Sequence, residues 1–155
     1  MTRLNPEWVE FVLPIANASP YFANQKMKVI NLIYGESFLE VSIKRKHLQA
    51  YGSVHGGVCA ALIDACGWWA VYTQVEDNMN AATAEMKLNY LSNAKEGKLI
   101  AHGRCIKLGK KLGLAEASIK SETGKLIAHG MVTVMKTSHF SSSLAEKIPL
   151  KFTPE

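Results

Sequence analysis

The hydrophobic pattern changes period several times along the chain. Between Pro6 and Leu13 the apolar residues Trp8, Val9, Phe11, Val12 and Leu13 fall on one broad helical face. Pro6 suits a first helical turn and Pro14 is expected to stop the helix, which reads as a lid or peripheral brace. From Lys26 the period falls to two. Met27, Val29 and Asn31 alternate with Lys28, Ile30 and Leu32, then Leu39, Val41 and Ile43 with Glu40, Ser42 and Lys44, which predicts two strands around a turn at Gly35-Glu36. A polar, glycine-containing segment, residues 46–57, leads into about 18 largely apolar residues, 58–75. Four further β-like runs follow at 81–91, 98–106, 113–121 and 125–135, joined by short stretches carrying Gly, Asn and Lys. With no helix between them, their sheet is expected to be largely antiparallel.

The pattern predicts an α+β fold in which a sheet of about six strands wraps one long central helix. Residues 58–75 are apolar enough to raise the question of a membrane span, but Asp64, Gly67 and Gln74 interrupt them. A charge at mid-span is costly in lipid, so the segment reads as a helix buried inside a soluble protein. An open sheet of this size has an edge to cover, so self-association is expected. Residues 1–25 form a helical extension, 26–137 the main domain, and 138–155 a tail, with Pro149 and Pro154, expected to lie loosely on the surface. The heptapeptide Gly-Lys-Leu-Ile-Ala-His-Gly occurs at 97–103 and again at 124–130. Two copies make no solenoid; they read as two strands of one sheet, each entered from a turn glycine, with His102 and His129 as strand residues rather than a metal pair.

Composition narrows the class. At 48% hydrophobic and 20% charged over 155 residues, the chain matches one compact domain and excludes disorder, a collagen-like fibre and a disulfide-stapled scaffold. Three cysteines, Cys59, Cys66 and Cys105, lack C-x-x-C spacing, and no apolar run follows a basic start, so a reducing, cytoplasmic setting is expected. The net charge of +5 admits an anionic partner, but no basic face interleaved with aromatics supports nucleic-acid binding.

At 100° per residue, Val58, Leu62, Ala65, Trp69 and Tyr72 form the stripe expected to face the sheet, and Asp64 points about 120° away. Its neighbours on that side are Gly57, Ala60, Ala61, Gly67 and Trp68, mostly small, which leaves room for something to approach the carboxylate. A structural aspartate, paired with an arginine or capped by amides, fits the same pattern. Ahead of the helix, His55-Gly56-Gly57 offers bare backbone N–H groups at the positive end of the helix dipole, suited to an oxyanion. Gly56 and Asp64 are eight residues apart, about 12 Å along a helix. Both cannot reach one carbonyl carbon from the same chain, so if both are catalytic the enzyme is at least a dimer with composite sites.

These residues resemble a known family. His55-Gly56-Gly57, Asp64 nine residues after the histidine and Gln49 six before it are similar to the PaaI-type branch of the hotdog-fold acyl-CoA thioesterases. The resemblance runs from about residue 26 to 137 and includes Thr83, the strand end Asn89-Tyr90-Leu91-Ser92, the loop at 107–112 and the segment 123–130. It implies a hotdog fold, a homodimer that usually pairs into a tetramer, and hydrolysis of an acyl-CoA or aryl-acyl-CoA substrate without metal or separate cofactor. It also implies roles. Asp64 is the general base or nucleophile, the Gly56 N–H the oxyanion donor, His55 and Gln49 the groups orienting the loop, and Thr83 a hydroxyl that helps hold the water. Gly57, Tyr90, Lys107, Gly109, Lys110 and Lys111 are implied on the CoA side, with Tyr90 along the pantetheine arm and the lysines on phosphates. Gln49 stands where some relatives carry Asn, and Thr83 where some carry Ser. Cys59, one turn after His55, invites a Cys-His nucleophile, but the acid-based route needs no thiol. Two other readings are a non-catalytic acyl-CoA-binding hotdog protein and a hotdog hydratase or dehydratase, although no Gly-His-Phe-Pro signature is present.

Overall fold

The computed structural model describes residues 3–77, 79–138 and 147–153. Helices α1 (Pro6–Ala18) and α2 (Pro20–Gln25) lead into strands β1 (Met27–Ile33) and β2 (Glu36–Ser42), the long helix α3 (Gly56–Tyr72), and strands β3 (Met79–Tyr90), β4 (Lys98–Leu108), β5 (Leu112–Ser121) and β6 (Leu126–Ser138). The six strands form one antiparallel sheet in the order β1-β2-β4-β5-β6-β3, and α3 packs against strands across it. The expected sheet around a central helix is what the chain forms. Among the described residues no helix is long and apolar enough to cross a membrane.

The face of α3 against the sheet differs from the expected stripe. Val58, Cys59, Leu62, Ile63, Cys66, Gly67, Ala70 and Val71 are buried, whereas Ala65, Trp69 and Tyr72 are half-buried. The reason lies in α1, whose Trp8 packs on Trp69 and Tyr72, with ring centroids 6.5 and 6.3 Å away. Those aromatics therefore cover a second layer rather than the sheet. Gly67 also belongs to the sheet side: a Cβ there would lie 2.5 Å from Val132 Cγ2, so its smallness serves helix–sheet contact rather than room around Asp64.

The repeated heptapeptide has a packing explanation. Its copies lie on β4 and β6, on either side of β5, so that Ala101 and Ala128 both face Ile119, His102 and His129 both face Ser118, and Gly103 and Gly130 both face Ala117. Both glycines let α3 approach the sheet. A Cβ on Gly103 would meet the Cys66 carbonyl oxygen at 2.5 Å, and one on Gly130 would meet Ile63 Cγ2 at 2.9 Å. His102 pairs with Glu36 at 2.6 Å, and His129 stands 3.7 Å from Glu116.

Three expectations about the periphery are corrected. Helix α1 runs through Pro14, because Pro14 and Glu10, whose carbonyl loses its partner, both face solvent, where water satisfies it. In β1 a bulge at Ile30 turns Leu32, rather than Asn31, into the core. The tail does not lie loosely throughout. Lys151 is buried, Phe152 bridges Leu4, and Asn5 N–H donates to the Lys151 carbonyl at 2.8 Å, so residues 147–153 strap α1 to the end of α3. The remainder of the expected loose tail, residues 139–146 and 154–155 with Pro154, lies outside the described residues.

Candidate active site

The candidate residues fall into two groups at opposite ends of the helix-facing side of β3. The first lies at the N-terminus of α3. His55 is the N-cap: its extended backbone turns the chain into the helix, and its Nδ1 accepts the Gly57 N–H at 2.8 Å. A ring nitrogen that accepts carries no proton, so the other, Nε2, is the donor His55 offers to solvent. The Gly56 N–H has no acceptor among the described residues. A Cβ on Gly56 would stand 3.0 Å from the Tyr90 ring, so glycine is what lets the ring and the helix start meet.

The loop carrying these groups is pinned from beneath. Leu48 bridges Val54, Gln49 N–H donates to the Ser53 carbonyl at 2.8 Å, and the Gln49 side-chain oxygen accepts from Tyr51 N–H. His47, which the sequence did not mark, is fully buried beneath it: its Nδ1 accepts the Lys44 N–H at 2.9 Å and its Nε2–H reaches the Gln25 carbonyl at 2.7 Å. The His47 carbonyl in turn accepts the His55 N–H at 2.8 Å. Nothing in the polar run around His47 signals burial, since the signal is tertiary. Beside the helix start lies a cavity of about 280 Å³ lined by Gln49, Val54, Gly56, Cys59, Tyr90 and Ile127 among others. Burial pushes the Cys59 thiol up, away from the thiolate a nucleophile needs, and the His55 nitrogen nearest the backbone is already engaged on Gly57.

The second group centres on Asp64. It is half-buried rather than enclosed, and its partner is neither an arginine nor a cap: the Thr83 hydroxyl donates to Asp64 Oδ1 at 2.7 Å. A bulge at Ala84 makes this reach possible. Thr83 faces Val134 and Glu85 faces Thr133, so one extra residue shifts the alternation and keeps Ala81 and Thr83 before the bulge, and Met86, Leu88 and Tyr90 after it, on the helix side.

The structure does not bring the groups together within one chain. Gly56 and Asp64 are separated by about 12 Å of helix, and Thr83 and Tyr90 by about 20 Å of strand. The exposed lysines follow the second group: Lys107 is the last residue but one of β4, and Gly109, Lys110 and Lys111 form the β4–β5 hairpin, whose neighbour Leu112 faces Met135, which faces Ala82 next to Thr83. Gly109 N–H closes that hairpin on the Leu112 carbonyl at 2.8 Å. A larger hollow of about 400 Å³, between the start of α1 and β1, shares no residue with either group.

Comparison with known proteins places this geometry. Residues 51–128, which hold both groups apart from Gln49, match the family model of the thioesterase superfamily. A Saccharolobus solfataricus protein designated an esterase is 32% identical over 109 residues, 70% of this chain and 77% of its own. Human acyl-coenzyme A thioesterase 13 is 29% identical over 110 residues, 70% of this chain and 78% of its own. The crystal structure of a Haemophilus influenzae thioesterase superposes with a TM-score of 0.79 at 18% identity, covering 87% of this chain and 94% of that one, and so supports the fold. The chain therefore belongs to the thioesterase superfamily, as a hotdog thioesterase of the PaaI type.

Proposed function

We propose that the protein hydrolyses acyl-CoA thioesters to free acid and CoA at a site that two copies of the chain build together. The observation carrying this reading is the Thr83 hydroxyl on the Asp64 carboxylate at 2.7 Å. With its proton committed to Asp64, the Thr83 oxygen is left to accept, so the pair offers a water two acceptors that orient it. Water attacks the thioester carbon as Asp64 takes its proton, or Asp64 attacks directly and water then hydrolyses the acyl intermediate. In either case the carbon–sulfur bond breaks and CoA leaves. The free Gly56 N–H, at the positive end of the α3 dipole, stabilises the oxyanion, with His55 and Gln49 shaping the loop around it.

Strand β3 supports the second copy. Among the described residues it is an edge strand of 12 residues paired with β6 alone. Lys136 N–H goes to the Lys111 carbonyl on the far side, so residues of β6 with its parity face β5. Their partners Met86, Leu88 and Tyr90 consequently present free N–H and C=O groups along the open edge. A second copy adding antiparallel about a twofold axis sets the Thr83 end of each β3 against the Tyr90 end of the other. One copy then supplies Asp64, Thr83 and the cationic hairpin of Lys107, Lys110 and Lys111 for the CoA phosphates, with Gly109 in its turn. The other supplies Gly56, Gly57, His55, Gln49 and Tyr90.

Subunit complementation tests this. Asp64→Asn removes the base; Gly56→Pro removes the oxyanion N–H at the first helical position, where the helix backbone accepts proline, and the crowding of its ring against Tyr90 falls on the same copy's half of the site. Each variant alone should release almost no thiol from a panel of acyl-CoA and aryl-acyl-CoA thioesters. An equimolar mixture, refolded together, should recover about a quarter of wild-type activity, because half the dimers are mixed and each mixed dimer has one intact site. No recovery would refute the shared site, and CoA-thioester binding without thiol release by the wild type would refute hydrolysis.

A further inference from the structure

Trp68 has no place in the chemistry just described, yet its contacts converge on it. It lies one helical turn beyond Asp64 on α3. Its indole Nε1–H donates to the Ala81 carbonyl at 3.0 Å, two residues before Thr83 on the same helix-facing row of β3. That carbonyl has no partner in the sheet: Ala81 faces Lys136, whose N–H is turned to Lys111, so both polar groups of Ala81 point to the open edge. Its N–H is taken by its own neighbour, Asn80 Oδ1, at 2.8 Å. The indole ring cannot swing away freely. It stacks on Tyr72 at 4.5 Å with an interplanar angle of 18°, and Trp69 stands edge-on to it at 4.9 Å.

Two tethers therefore run side by side from α3 to β3: Trp68 to Ala81, and Thr83 to Asp64. The bulge at Ala84 makes the first matter to the second. It shifts the β3–β6 register just after Thr83, so residues 79–83, paired with β6 at 134–138, are set apart from the remainder of the strand and take a second anchor from the helix. Ala81 is also withdrawn from edge pairing, which leaves Thr83 to Tyr90 for a second copy.

We propose that Trp68 is a positioning residue for hydrolysis: its indole N–H fixes the start of β3 against α3 so that the Thr83 hydroxyl meets Asp64. The proposal rests on the hydrolase reading above. It requires that Trp68 act through Thr83 rather than beside it. Trp68→Phe keeps the stacked ring and removes only the donor. It should lower kcat about tenfold, the worth of one well-placed hydrogen bond, with KM within about twofold. Thr83→Val should lower kcat by at least as much, and adding Trp68→Phe to Thr83→Val should cost less than about twofold more, because the contact that Trp68 serves is already gone.

An unchanged kcat in Trp68→Phe, a loss confined to KM, or two losses that multiply in the double variant would each overturn the proposal. Hydrogen exchange on the unsubstituted protein gives a check that needs no variant to be active. The Trp68 indole proton should be protected, and exchange at the rate of a free indole overturns the tether. Failure of the underlying reading looks different: wild-type protein that releases no thiol from any CoA thioester overturns both, whereas thiol release with additive variants overturns the role of Trp68 alone.

Discussion

Lys151 is 1% exposed, yet carries an ammonium group into the end of the central helix. Its Nζ donates to the Val75 carbonyl at 2.7 Å and the Tyr72 carbonyl at 3.1 Å, and lies 3.7 Å from the centroid of the Tyr72 ring. The last carbonyls of a helix and an aromatic face both favour a cation. Burial opposes them and prevails: it pulls the lysine down from its ordinary range to about 8, with Asp77 and Glu76 holding it up in part. A lysine whose folded value is depressed makes stability rise with pH. Below about pH 8 both states are protonated and the folded state carries the whole cost of burying the charge. Between about 8 and 10.5 the folded lysine is neutral while the unfolded one is still charged, so unfolding takes up a proton and stability climbs; above that window the effect is gone.

The perturbation is Lys151→Met, which keeps length and apolar stem and removes the charge. A displacement from 10.5 to about 8 corresponds to about 3 kcal/mol in all, of which about 1 kcal/mol is relieved between pH 7 and 9. The absolute effect of the substitution also includes the lost carbonyl contacts, so the quantity to follow is the difference between variant and wild type. Other groups act oppositely. Burial raises the thiols of Cys59, Cys66 (to about 12) and Cys105 and the Tyr72 phenol, so their stabilisation is lost as pH rises past their unfolded values. The three thiols are common to both proteins, and the phenol, raised from 10.0, lies above the pH 7 to 9 range. Urea unfolding of the two proteins at pH 7, 8 and 9 should show the stability of the variant relative to wild type falling by about 1 kcal/mol across the series. A difference independent of pH, or growing in the variant's favour, would refute a charged Lys151 buried at neutral pH.

Three further outcomes concern the site. Asp64→Asn should lower kcat by roughly 10² to 10⁴, while Asp64→Ala, at a half-buried position whose one side-chain partner is a hydroxyl, should leave the urea midpoint nearly unchanged; a loss of several kcal/mol would make the aspartate structural. Met86→Pro removes an N–H that faces the open edge of β3, where a proline is tolerated by the chain's own sheet but interrupts pairing with another copy. Sedimentation should then show monomer with near-native circular dichroism and no thiol release, and an active monomer would exclude the shared site.

What the sequence made legible, and what it hid, divides along physical lines. Strands and the central helix were readable because alternation and helical period are local, and the repeated heptapeptide announced two strands of one sheet, whose common neighbour β5 only the structure shows. The bulges at Ile30 and Ala84, buried His47 and the strap through Lys151 were not, because each is decided by a partner far away in the chain, and Pro14 was not because its tolerance depends on which face of α1 meets solvent. The described part of the tail is the clearest case: a proline-bearing stretch reads as loose, and within residues 147–153 one lysine finding the Tyr72 and Val75 carbonyls, at and just past the end of α3, overrides it.

For the site itself the most durable inference was a distance. Eight residues of helix between Gly56 and Asp64 fix a separation that side-chain packing cannot alter, so if both act on one thioester carbonyl they must come from two chains. The roles of individual side chains lack that protection. Asp64 read as a carboxylate enclosed in a core, whereas it stands half-open at the sheet edge because β3 is the last strand and the Ala84 bulge turns Thr83 toward it. The lysine hairpin read as part of one CoA site, yet within the chain it lies with Asp64, away from Tyr90 and Gly56. Those two placements require each other: if the cations and the carboxylate belong to one copy, the oxyanion donor must come from the edge of the next, and the open groups of Met86, Leu88 and Tyr90 are where that edge is available.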